Sequence, residues 1–145
     1  MADSSLVDAA VITTLASDSA LLAILPDGVF FDEAPPACRR FAIVSLVDSS
    51  GIPTWDPGGG VVRAMDDRVY AVTAVVKGTT GDIAAAAARI NALLHNQSLS
   101  VSGYTFTSTA WDEELGDIRY TEVDDLDASI RWQHRGAHYR VQASI

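Results

Sequence analysis

The stretch from Arg68 to His95 constrains the fold more than any other part of the chain. Arg68 to Lys77 is a run of β-branched, aromatic and small residues with no Pro or Gly inside it, which predicts a strand. Gly78-Thr79-Thr80-Gly81-Asp82 follows as a turn. Ile83 to His95 is Ala-rich with one apolar stripe, which predicts a helix. Thr80 can accept from the free N–H groups of its first turn, and Asp82 sits at the positive end of its dipole. Ile83, Ala87, Ile90 and Leu94 fall on one face, with Ala86 and Leu93 beside them. Ala85, Ala88, Arg89 and Ala92 point elsewhere: either a bland exposed face, or small side chains that let a neighbouring subunit approach. His95 and Asn96 close the helix, His favourable if protonated and Asn tolerant of the left-handed cap.

Ahead of this unit, Asp3, Ser4 or Ser5 can cap a helix whose apolar face is Leu6, Val7, Ala10, Val11, Thr14 and Leu15. A second short helix, Ala20 to Leu25, stops at Pro26-Asp27-Gly28. Val29 to Phe31 is a brief strand, and Ala34-Pro35-Pro36-Ala37 is extended. Phe41 to Val47 is apolar on both faces, so it should be central or covered on both sides. Asp48 to Asp67 is the least regular stretch and predicts a long arm or loop between two antiparallel neighbours. It carries Trp55, Asp56 and Met65 among glycines and prolines, and Trp55 either anchors a partner surface or folds back. Tyr104 to Trp111, Ile118 to Val123 and Arg131 to Ser144 are further strands, the last broken or bulged at Gly136. The order predicts one α+β domain over 1–145, a mostly antiparallel sheet with one long helix and N-terminal helices packed on it.

Chemistry is sparse. His134 and His138 lie well apart on one strand and Cys38 has no CxxC partner, so no metal site is expected. Asp124, Asp125 and Asp127 fail the calcium-loop pattern, with Ile130 and Gly136 at the sixth and twelfth positions. Gly58-Gly59-Gly60 lacks the Lys-Ser or Lys-Thr of a phosphate loop. Asp112, Glu113 and Glu114 sit in a turn with no reason for a shifted pKa. No enzyme and no cofactor is expected. A net charge of −9 argues against an ordinary nucleic-acid binder, a single cysteine suits a reducing compartment, and no apolar run is of membrane-spanning length. Arg39, Arg40, Arg131, Arg135 and Arg140 either meet the acidic turn of a neighbouring copy or simply serve solubility.

Several pieces in order carry a resemblance. They are Ser19-Ala20-Leu21-Leu22-Ala23-Ile24-Leu25 with Gly28-Val29-Phe30, the two prolines before Phe41-Ala42-Ile43-Val44, and Val75-Val76-Lys77-Gly78-Thr79 leading into Ala84 to Leu94. Arg119-Tyr120-Thr121-Glu122, Trp132-Gln133-His134-Arg135-Gly136 and Tyr139-Arg140-Val141 complete them. Together they resemble the tail terminator proteins of siphophages, also called tail completion or tail-to-head joining proteins. The resemblance implies a homo-hexameric ring at the tail–neck junction of the virion, made in the host cytoplasm. Such a ring caps the tail tube protein, stops its polymerisation and meets the head–tail connector or stopper protein. DNA would pass through the lumen without specific binding, and no membrane is involved. Trp55, Asp56, Met65, Arg40, Arg131, Arg135 and Arg140 are the expected subunit or partner contacts. Another neck protein, or a small ligand-binding α+β domain, are the competing expectations.

Overall fold

A computed structural model describes residues 5–55, 61–78, 81–104 and 106–144. The elements run α1 (Ser5–Ala16), α2 (Ser19–Ile24), β1 (Val29–Phe31), β2 (Arg40–Trp55), β3 (Val61–Lys77), α3 (Ile83–Leu94), β4 (Phe106–Trp111), β5 (Asp117–Val123) and β6 (Arg131–Ser144). The strands form one six-stranded sheet in the order β1-β2-β3-β6-β4, with β5 pairing the first half of β6. Every pairing is antiparallel except β1 with β2. The helix expected over Ile83 to His95 is α3, but at 12 residues it is no longer than α1. α1 buries Val7, Val11 and Leu15 and α3 buries Ile83, Ala86, Ile90 and Leu94, so two helices of equal length share the covering of the sheet.

The helices cover one face. Val7, Val11 and Leu15 of α1, Leu21 of α2, and Ile83, Ala86, Ile90 and Leu94 of α3 pack on Ala42, Val44, Tyr70, Val72, Ala74, Val76, Tyr139 and Val141. Leu6 stays exposed and Ala87 is only partly buried, whereas Ala86 is fully buried. The stripe on α3 is therefore turned slightly from the spacing expected. Asn96 takes the left-handed conformation that ends the helix. His95 Nδ1 accepts the Trp111 N–H at 3.1 Å, which ties the end of α3 to β4.

Asp18 joins two helices. It caps α2 by accepting from the Leu21 N–H at 2.9 Å, and it takes two charge-assisted bonds from Arg89 of α3 at 2.7 and 2.8 Å. The Arg89 guanidinium, helped by the Leu21 N–H and opposed by burial, lowers its pKa from 3.8 to about 2. A depressed carboxylate stabilises the fold fully above its unfolded value and loses that stabilisation as pH falls through its folded value. Thermal melts of wild type and Asp18→Asn between pH 5 and pH 2, roughly the window in which a carboxylate of this kind titrates, should therefore converge at the acid end. A constant gap across that range would refute the linkage.

The stretch expected to be irregular is largely strand. β2 and β3 stay paired from Arg40↔Val76 out to Trp55↔Val61, with register shifts at Leu46/Asp48 and Ile52/Pro53. The two bulges absorb Val47 of β2 and Ala64 of β3, the second beside Pro53, which has no N–H for the ladder. Beyond Met65↔Ser144, β3 has no β6 partner among the described residues, and it pairs β2 alone out to Trp55↔Val61. The predicted break at Gly136 is also absent, since β6 pairs β3 without a register shift. Glycine is needed there for another reason: a Cβ would lie 1.9 Å from the Val72 carbonyl oxygen.

Candidate functional site

Among the described residues no three His, Cys, Asp or Glu side chains gather where they could hold a metal ion, and the surfaces that stand out are the sheet face away from the helices and one groove beside α3. The open face carries Phe41, Ile43 and Ser45 of β2, Thr73 and Val75 of β3, and Trp132 and His134 of β6. Helices do not reach it. Parallel pairing of β1 with β2 forces the chain to cross from the end of one to the start of the other. The crossover, from Asp32 through Pro36, borders this face and leaves a groove of about 470 Å³. Phe41 meets Phe30 and Trp132 edge-on, each at 6.4 Å, and Lys77 sits 5.5 Å over the Trp132 ring. Tyr120 of β5 stacks on His134 at 4.2 Å. Burial holds the His134 ring below its ordinary pKa, against the pull of Glu122 at 3.3 Å.

The sequence-predicted contacts scatter. Arg40 donates to the Ile24 carbonyl at 3.0 Å and pairs with Asp82, which ties β2 to the start of α3. Arg140 pairs with Asp67 at 2.7 Å and Asp112 at 3.1 Å, so it meets the acidic turn of its own chain. Asp112 is buried, and its pKa is lowered by the Leu115 N–H, with Arg140 and the Glu114 N–H adding to it. That corrects the expectation of an unperturbed turn: antiparallel pairing brings Arg140 back beside it. Arg131 donates to the Ala128 carbonyl at 2.6 Å. Met65 pairs Ile52 and Ser144 within the sheet. The backbone of Trp55 ends β2, while Asp56, like the Thr80 cap, lies outside the described residues. Arg135 faces α3, directly opposite Arg119.

Sequence reasoning missed two features. One is the groove of about 320 Å³ between α3 and the β5–β6 hairpin, walled by Ala84, Ala87, Ala88, Ile118, Arg119 and Arg135. The other is Leu126, 98% exposed in the β5–β6 loop. Asp124 shapes that loop, accepting from the Leu126 and Asp127 N–H groups at 3.2 and 3.1 Å and from Trp132 Nε1 at 2.8 Å. Asp127 in turn accepts from Ser129. A leucine inside an acidic run gives a sequence signal only of a solvated loop. Because Leu126 touches so little of its own chain, Leu126→Ser should leave the urea midpoint unchanged, within about 0.5 kcal/mol; a larger loss would place the side chain in the monomer's own packing.

No protein-family model matches the chain, and no curated protein matches it. Solved structures do. A chain from the virion of a native gene transfer agent particle is 18% identical, with a TM-score of 0.63 over 94% of this chain and 93% of that one. A second solved chain is 15% identical, with a TM-score of 0.59 over 99% of this chain and 96% of that one. Both likenesses run nearly end to end, so the fold is shared as a whole, helices and hairpin together.

Proposed function

We propose that the chain is a structural virion protein of the tail-terminator kind, acting as one subunit of a ring that closes the tail tube. The observation that carries this reading is the end-to-end likeness of fold to a chain of the gene transfer agent virion. The aromatic-lined groove that the Asp32–Pro36 crossover leaves on the second sheet face supports it, because a concave apolar surface of this kind suits a segment of another chain. Function then comes from occupancy: the ring sits on the growing end of the tube, blocks the next tube ring, and offers its other face to the head–tail connector. No catalysis and no cofactor is required. A net charge of −9 would repel phosphates if it reached the lumen, so DNA could pass without sticking. Labelling the chain in purified virions with a bound antibody fragment and imaging them tests the position. Density at the head-proximal rim of the tail tube is expected. Density on the portal side alone would favour a connector subunit instead.

A further inference from the structure

We propose that Leu126 and the acidic loop around it seat in the groove between α3 and the β5–β6 hairpin of a second copy, a head-to-tail contact between identical chains. The groove asks for an anionic, apolar-tipped occupant. Arg119 and Arg135 face each other directly across neighbouring strands, an arrangement in which like charges destabilise a sheet. Neither has an ion pair or side-chain hydrogen bond among the described residues, whereas Arg40, Arg68, Arg89 and Arg140 each pair with an aspartate. Asp117 stands at the same groove without pairing either. Trp111, in the groove wall, holds a buried indole N–H that has no acceptor among the described residues. Between these groups lies a floor of small apolar side chains, Ala84, Ala87 and Ala88.

The chain itself supplies the complement. Leu126 is 98% exposed and flanked by Asp125 and Asp127, and the Asp125 side chain has no hydrogen bond or ion pair among the described residues. The loop cannot fold back into its own groove. Arg119 and Arg135 lie four positions along the hairpin from Val123 and Arg131, roughly 13 Å at the usual strand rise, and Asp124 pins the loop's shape. The partner is therefore another copy. Because loop and groove are different surfaces, the contact is heterologous, the kind that makes a ring when the rotation between neighbours closes. It deepens the ring reading and rests on it for its biological role, but its test does not need the tail.

Full-length copies carrying Leu126→Cys are mixed with copies of different mass carrying Ala88→Cys, both in a Cys38→Ser background, and oxidised. The same mixture with Ser50→Cys in place of Ala88→Cys is the control. The 126–88 product should exceed the 126–50 product by about tenfold or more, in the free chain or in assembled particles. Arg119→Glu should lower that yield by about tenfold while leaving the melting temperature equal or higher, since it removes the Arg–Arg opposition. Asp125→Arg in the Leu126→Cys copy should then restore it. Equal yields at 88 and 50 in both settings, or a yield indifferent to Arg119→Glu, would overturn the contact. A chain found at the tube rim without the cross-link would sink the contact alone; a cross-link in a chain absent from virions would sink the tail reading alone.

Discussion

Gly136→Ala should cost about 4 kcal/mol or more, at the extreme end of single substitutions. The added methyl would lie 1.9 Å from the Val72 carbonyl oxygen and 2.8 Å from the Thr73 Cα. Both are backbone atoms of β3, which pairs β2 on one side and β6 on the other. No side chain can rotate away to make room, so β3 and β6 must part at the centre of the sheet. For a chain of this size the melting temperature should fall by about 15 °C. Urea unfolding of the variant measures it, and Gly78→Ala is the control. Nothing lies within 4 Å of a Cβ at Gly78, so its cost comes only from a φ of +98°. Similar losses at both positions would mean that the close approach of β6 to β3 is not what requires glycine.

The second large effect is at Arg68. This arginine is buried and is held on three sides. It donates to Asp8 of α1 at 2.8 and 3.2 Å, to the Tyr70 hydroxyl at 2.9 Å and to Ser49 Oγ at 3.0 Å. Tyr70 also donates to the same Asp8 oxygen. Burial pushes the Tyr70 phenol far above its ordinary pKa, with Asp8 adding to it, so the hydroxyl keeps its proton. The arginine stays charged because Tyr70 and Asp8 outweigh the burial that would otherwise lower its pKa. Arg68→Met leaves the Asp8 carboxylate beside a hydroxyl with no cation, which should cost about 3 kcal/mol. The double variant Arg68→Met, Asp8→Leu should lose less than Arg68→Met alone, because the stranded charge is gone. If the double variant is worse by the full sum, the network acts through packing of α1 and not through charge.

How far the sequence could be read depended on whether a signal was local. The order of elements follows from period-two runs such as Arg131–Ser144 and the stripe on α3, because each element's burial is written in its own residues. The β2–β3 hairpin was hidden by its bulges: Val47 on β2 and Ala64 on β3 break the alternation, and only the pairing partner restores it. Gly136 gave a signal of the wrong kind, since a close backbone approach leaves no trace in the flanking residues. The roles of Arg140 and Asp112 depend on two segments far apart in the chain, 28 residues between them. The same is true of Arg119 opposite Arg135, which pairing brings together and sequence spacing does not. One sequence feature anticipated more than a single copy uses. Phe41 and Ile43 make the second face of β2 apolar, and in one chain that face meets only the crossover loop and neighbouring side chains.

The ring-and-cap account is tested most directly by tail length in virions assembled without this chain. It predicts tubes that run past their normal length, or tails that never join heads, because nothing occupies the growing end. Tails of normal length joined to filled heads would contradict it.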